Sequence, residues 1–310
     1  MKLFLGLDGG QSGTTALIGD ENGRVLGEGH AGPCNHAGSE EGHRRFVAAV
    51  EESVCSAREH AGVKDLAFES VCCGFSGGPA DKEAMVRELV PAAQFFITHD
   101  AWIALAGATA GEPGVIAIAG TGSIVFGRNG DGRTARAGGW GYIFGDEGGA
   151  FDLVRQALRA VLRHEEGWGP PTTLRELLLS AAGVGSANDL LHRCYTPEFS
   201  RDRAAALAEL VDRAALSGDP IAQDLLKSTA QALATLVGAV RVQLFRPEEA
   251  VLVSYAGGVF RSEMMKERFR ILVELQEGNR VDSPRFSPAT GALIEAYRII
   301  GRAWQPQPLR

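Results

Sequence analysis

Twice in this sequence an apolar strand runs straight into a turn rich in glycine and hydroxyl residues, once in each half. Lys2 to Leu7 leads into Asp8-Gly9-Gly10-Gln11-Ser12-Gly13-Thr14-Thr15, and Val115 to Ala119 leads into Gly120-Thr121-Gly122-Ser123. Glycine lets backbone N–H groups approach an anion, and a Ser or Thr hydroxyl adds a donor. An acidic residue at the mouth of such a turn, here Asp8, suits a hydrated Mg²⁺. One such turn alone reads as an ordinary β-turn. Two, each closing a strand, point to a chain that grips a nucleotide triphosphate from both sides.

The surrounding pattern also occurs twice. Thr14 to Gly19 and Arg24 to Glu28 flank Asp20-Glu21-Asn22-Gly23, and Asn-Gly is a hairpin signal. Ser39 to Ala61 has a helical period with Ser39 as its cap. Strands at Ala67 to Phe75 and Gln94 to Ile97 alternate with helices at Asp81 to Val90 and Ala101 to Ala110. In the second half, Ser123 to Arg128, the turn Asn129-Gly130-Asp131-Gly132 and Arg133 to Ala137 echo the first hairpin. A helical insert from about 147 to 245 precedes a strand at Val251 to Tyr255 and a helix at Ser262 to Gln276. This order implies an α/β fold of two mixed sheets flanked by helices, with a cleft between two domains. The expected domains are 1–108 and 109–287, with a last helix at 288–303.

Composition narrows the partners. The 310 residues are 45% hydrophobic and 22% charged, with a net charge of −7 and no basic cluster, which argues against a nucleic-acid surface. No apolar run reaches the length of a membrane span. The five cysteines (Cys34, Cys55, Cys72, Cys73 and Cys194) are odd in number and lack Cys-x-x-Cys spacing. They suggest neither a disulfide framework nor a zinc site. Met1 to Leu5 enters a strand directly rather than forming a signal peptide. The expected setting is the cytoplasm, and the expected assembly a homodimer.

Several residues stand where chemistry could be done. Asp100 ends a short strand and opens a helix, where an Asp commonly caps. Asp146 stands just before the insert and could be only the cap of a helix from 147, with Glu147 in its first turn. Gly138 to Gly149 is too dense in glycine to read as core packing, so its backbone is expected to turn sharply or pass close to a ligand. Trp140 within it is a platform for a bound ring or a cleft wall, and His36 reads as a surface residue.

The two turns, together with Gly32-Pro33-Cys34-Asn35-His36, Gly74-Phe75-Ser76-Gly77-Gly78, Thr98-His99-Asp100-Ala101, Gly138 to Gly149 and Ala256-Gly257-Gly258-Val259, fall in a family order. The chain resembles the acetate kinase, sugar kinase, Hsp70 and actin superfamily. Within it, the chain resembles the BadF/BadG/BcrA/BcrD-type ATPases, and among these the N-acetylglucosamine kinases and broad-specificity hexokinases. The stretch from 165 to 245 carries no family motif.

The resemblance implies two actin-like (ribonuclease H-like) domains, with the last helix (288–303) crossing back onto the first, and ATP and Mg²⁺ as cofactors. It makes Asp100 the base that takes the proton of a sugar 6-hydroxyl, and Asp8 a Mg²⁺ ligand through water. Gly9, Gly10, Ser12 and Thr14 would bind phosphate from one side, and Thr121, Gly122 and Ser123 from the other. Gly257 and Gly258 would form the adenosine turn. Asn35, Ser76, Gly139, Trp140 and Asp146 would bind the sugar. Gln11 and Ser12 stand where the family more often has Gly and Thr. The implied reaction is ATP-dependent phosphorylation of N-acetylglucosamine or a related hexose or amino sugar, including glucosamine and N-acetylmuramic acid. Two other classes compete. An activator ATPase of a 2-hydroxyacyl-CoA dehydratase needs a cysteine-bound iron–sulfur cluster between subunits. Cys72 and Cys73, adjacent in a strand, point to opposite faces and suit one cluster poorly. A non-catalytic sugar sensor would have no use for a base.

Overall fold

The computed structural model describes residues 1–34, 39–64, 67–196 and 198–302. The chain begins with β1 (Leu3–Gly9), β2 (Thr14–Asp20), β3 (Val25–Ala31), α1 (Glu40–Ala61), β4 (Phe68–Phe75), α2 (Glu83–Leu89), β5 (Ala92–His99) and α3 (Asp100–Thr109). It continues with β6 (Gly114–Ala119), β7 (Ser123–Arg128) and β8 (Thr134–Gly138). Six helices follow: α4 (Ala150–Glu165), α5 (Leu174–Ala182), α6 (Ala187–Cys194), α7 (Arg201–Ala206), α8 (Ala208–Leu216) and α9 (Pro220–Leu244). The last elements are β9 (Val251–Ala256), a 3₁₀ turn (Gly258–Arg261), α10 (Glu263–Glu274), β10 (Asn279–Val281) and α11 (Pro288–Ile299). Among the described residues, no helix is long and apolar enough to cross a membrane.

These elements form two units, Met1–Gly114 with the chain from Ser283 onward, and Val115–Asp282. Each holds one five-stranded mixed sheet, ordered β3-β2-β1-β4-β5 in the first unit and β10-β9-β6-β7-β8 in the second. The two orders are the same once strands are counted from each unit's start. The duplicated sequence pattern is thus a duplicated topology.

In the first unit β1 pairs antiparallel with β2 and parallel with β4, and β4 pairs parallel with β5. Alternation along the buried central strand divides its side chains between two cores. Leu3, Leu5 and Leu7 pack with Phe46, Val50 and Val54 of α1. Phe4 turns the other way and stacks on Tyr297 of α11, with ring centroids 4.1 Å apart. Ser39 caps α1 by accepting from the Gly42 N–H at 3.0 Å. Helix α11 starts at Ser287, whose side chain accepts from the Thr290 N–H, and has Pro288 in its first turn. It lies so close to β1 that a Cβ on Gly6 would meet the Leu293 backbone nitrogen at 2.3 Å. The Tyr297 hydroxyl donates to the Asp20 carbonyl and the Ser70 hydroxyl to the Ala296 carbonyl, both at 2.5 Å.

In the second unit a separate core joins Val115, Ala117 and Val253 of the sheet to Leu226, Leu233 and Val237 of α9 and to Phe269 of α10. One charged side chain is fully enclosed. Arg241, 1% exposed, donates from Nε to Asn279 Oδ1 (2.6 Å) and from Nη1 to the Arg246 carbonyl (3.2 Å). Its Nη2 serves the carbonyls of Pro247, Glu249 and Glu277 at 2.9, 2.9 and 3.2 Å. It ties the end of α9 to the turns on either side of β9 and α10. Strand β10 has no counterpart in the sequence reading. It is three residues long and pairs parallel with β9 from Asn279 to Val281.

Candidate active site

In the first unit, three parallel strands deliver their carboxyl ends side by side. In β1 and β4 Asp8 stands opposite Gly74, and in β4 and β5 Phe75 stands opposite His99. Asp8, Ser76 and Asp100 therefore gather at one sheet edge, where open α/β sheets characteristically bind ligands. The Ser76 hydroxyl lies beside the Asp100 carboxylate and favours its charged form, and the Ser76 N–H donates to the Gly9 carbonyl at 3.0 Å.

Asp100 does not cap α3. That role falls to His99, whose Nδ1 accepts from the Trp102 N–H at 3.2 Å. Asp100 is the first helical residue, and its Oδ1 accepts from the Ala101 N–H at 2.8 Å. Burial pushes its carboxyl above the ordinary carboxylate range, against the Ala101 N–H, the His99 charge and the Ser76 hydroxyl. Asp8 is pushed up to about 7, first by burial and then by the charge of Asp100.

Asp8 thus binds a proton more tightly in the folded chain than in the unfolded one. The stability this supplies is complete in acid and is lost as pH rises towards about 7. Asp8→Asn is expected to remove that slope and to stabilise the ligand-free protein at about pH 8, by on the order of 1–3 kcal/mol. Melting temperatures of both proteins at about pH 5 and about pH 8 measure this. Parallel pH dependences in the two proteins would refute the shift.

The first glycine turn is built partly for packing. A Cβ on Gly9 would meet Cys34 Sγ and a Phe75 ring carbon at 2.5 Å each. The Gly10 N–H donates to the Gly13 carbonyl at 2.9 Å, which closes the turn. The Thr14 hydroxyl is committed to the Gly32 carbonyl at 2.8 Å, whereas Ser12 is exposed. Lys82, which the sequence reading does not single out, is buried. Its Nζ donates to the Gly78 carbonyl at 3.0 Å and to Asp81 at 2.6 Å, fixing the loop that follows Ser76. Asn35 and His36 lie outside the described residues.

In the second unit, the turn after β6 is enclosed from several directions. Gly257, at φ +102°, lies so close that a Cβ there would meet the Ala119 carbonyl oxygen at 2.3 Å and the Gly120 nitrogen at 2.8 Å. Only glycine fits that backbone. A Cβ on Gly258, by contrast, would meet nothing within 4 Å, and this residue opens onto a pocket of about 620 Å³. Gly120, Thr121, Asp202, Glu209, Asp212 and Arg261 are among its lining residues. The Ser123 hydroxyl donates to the Glu147 carbonyl at 2.6 Å.

The segment from 138 to 149 departs from expectation in two ways. Its glycines do take part in packing: Cβ atoms on Gly139, Gly148 and Gly149 would meet Ile124 at 2.8 Å, Leu233 at 2.7 Å and Gly122 at 2.8 Å. Moreover α4 begins at Ala150 with Gly149 at its cap, so neither Asp146 nor Glu147 caps or enters it. Asp146 is buried in the left-handed region (φ +65°), which Asp tolerates better than most residues. Its Oδ2 accepts from Arg201 Nη2 at 2.5 Å. Trp140 is exposed, with the Arg136 guanidinium 4.7 Å above its ring.

Comparisons with known proteins bear on the family and the fold. The family model described as "BadF/BadG/BcrA/BcrD ATPase family" matches residues 5–296. The N-acetylmuramic acid/N-acetylglucosamine kinase of Clostridium acetobutylicum is 33% identical over 303 residues, covering 96% of this chain and 98% of its own. The N-acetyl-D-glucosamine kinase of Dictyostelium discoideum is 29% identical over 316 residues, with 95% and 98% covered. A solved structure from Chromobacterium violaceum shares the fold, with a TM-score of 0.77 at 24% identity and 94% and 98% of the two chains covered. With both sheets, both turns and nearly the whole length matched, the chain belongs to the BadF/BadG/BcrA/BcrD ATPase family.

Proposed function

We propose that this protein is an ATP-dependent kinase that phosphorylates the 6-hydroxyl of N-acetylglucosamine or a related amino sugar. The observation that carries the reading is the Asp8–Ser76–Asp100 group at three adjacent strand ends. A kinase of this kind needs a base beside an acceptor hydroxyl, with positioning and electrostatics supplying the rest. Asp100 is the base. The Ala101 N–H holds the carboxylate in place, and Ser76 with Asn35 receives the sugar.

Asp8 and Asp100 offer hard oxygen donors whose mutual repulsion a cation would relieve, so the residues present fit Mg²⁺. Asp8 would hold it through water, and the ion would neutralise phosphate charge. The first turn (Gly9, Gly10, Ser12, Thr14) and the second (Thr121, Gly122, Ser123) are the phosphate grips. Gly257 and Gly258 pass the nucleoside into the pocket of the second unit. Gly139 and Trp140 face the sugar, and the second oxygen of Asp146 accepts from one of its hydroxyls. Glucosamine and N-acetylmuramic acid are the nearest alternative substrates.

The dehydratase-activator reading is weaker. Cys73 packs on the α1 side of the sheet and Cys72 against Ile103, Ala292 and Ala296 on the other, both fully buried. Burial holds both thiols well above their ordinary range. All five cysteines are free, as suits a cytoplasmic protein. A homodimer belongs to the same proposal, and sedimentation would test it.

The deciding experiment offers N-acetylglucosamine, glucosamine, N-acetylmuramic acid and glucose with Mg-ATP and follows ADP release. Release that depends on an amino sugar, and is fastest with an N-acetylated one, is expected. Release indifferent to every sugar would refute the kinase.

A further inference from the structure

Helix α7, in a stretch without motifs, seats two consecutive side chains on the second glycine turn. Asp202 Oδ1 accepts from the Thr121 hydroxyl at 3.1 Å. Arg201 reaches Gly122, where a Cβ would meet Asp146 Oδ2 at 2.4 Å and Arg201 Nη2 at 2.6 Å. The guanidinium also lies 5.2 Å from the centroid of the Tyr142 ring. Its Nε is buried and has no hydrogen-bond partner among the described residues, while the side chain as a whole stays 31% exposed, against 6% for Asp146.

This arrangement sets an electrostatic problem. A carboxylate held against a turn that receives phosphate would repel the ligand, because like charges a few ångströms apart disfavour each other strongly where water is excluded. A guanidinium resolves it. It carries five donors in a planar fork suited to carboxylate and phosphate alike, and the bond to Asp146 occupies only part of the fork. We propose that Arg201 is a nucleotide-binding residue, its guanidinium shared between Asp146 and the β-phosphate of ATP at Gly122. Through that sharing it positions the 139–149 segment relative to the phosphate turn. The inference rests on the reading of this turn as a phosphate site, and it adds a ligand that the 120–123 motif does not contain.

Calorimetric affinities for ADP and for adenosine, measured without sugar, separate the possibilities. Four full-length proteins are compared: the unsubstituted chain, Arg201→Met, Asp146→Asn and the double variant. Arg201→Met is expected to weaken ADP at least about tenfold and to leave adenosine within about twofold, because adenosine has no phosphate to lose. Removing Arg201 in the Asp146→Asn background leaves no unpaired buried carboxylate, so this comparison stands even if Arg201→Met alone does not fold. There the loss should still be about fivefold or more for ADP alone. Equal losses for ADP and adenosine would make Arg201 merely structural and overturn the proposal. So would an unchanged ADP affinity in the Asp146→Asn background, which would reduce Arg201 to a counter-charge for Asp146. If the unsubstituted chain binds adenosine but gains nothing from the phosphates of ADP, the reading of the turn itself fails, and this inference with it.

Discussion

Asp100→Asn is expected to lower kcat by roughly 10²–10⁴-fold while both KM values stay within about twofold. The amide cannot take the proton of the sugar hydroxyl. It can still accept from the Ala101 N–H, as Oδ1 does in the unsubstituted chain. Helix α3 keeps its cap, because the cap is His99. The melting temperature should therefore not fall, and this separates loss of a base from loss of a fold. Steady-state kinetics and a thermal melt on one preparation suffice. Near-normal turnover in a folded Asp100→Asn protein would remove Asp100 from the reaction.

Arg241→Met should produce the largest loss of stability. The guanidinium answers one side-chain amide oxygen and four carbonyls from two separate turns. Methionine fills much of the volume but donates nothing, so these acceptors stay behind without their donor in a site closed to water. At about 1–3 kcal/mol for each buried group left unsatisfied, a total of about 3–5 kcal/mol is expected once the turns relax. That corresponds to roughly 6–20 °C in the melting temperature of a unit this size. Calorimetry is the measurement, and Arg241→Lys, which keeps a charge but not the fork, should recover less than half of the loss. A shift of only a degree or two would show that water replaces the guanidinium freely.

What is legible in the sequence is whatever local spacing encodes. Alternation and hairpin signals mark both sheets, and Ser39 with a period of 3.6 marks α1, which begins at Glu40. β10 is invisible because three residues carry no period, and its pairing with β9 is a tertiary event. At position 100 the spacing announces a helix start but does not say which of two adjacent capable side chains turns back to cap it. The glycines of 138–149 stand out, but their purpose does not. Gly148 and Gly149 make room for Leu233 and for Gly122 itself, and neither neighbour is close in sequence. Arg201 leaves no local signal at all, since an arginine opening a short polar helix looks like any solvated charge.

The return of α11 to the first unit bears on how the protein is made. Val115–Asp282 is contiguous and can close its core as soon as it leaves the ribosome. The first unit cannot. Phe4, Leu17 and Cys72 face a sheet surface whose cover includes Leu293, Ala296 and Tyr297, and these come from the last helix described. At about 5–20 residues per second, translating the second unit takes roughly ten to thirty seconds. During that interval the nascent first unit shows the cell an apolar sheet face that α3 covers only in part. The oldest strand of the protein waits for its newest helix, which makes early chain termination a route to aggregation rather than to a working fragment.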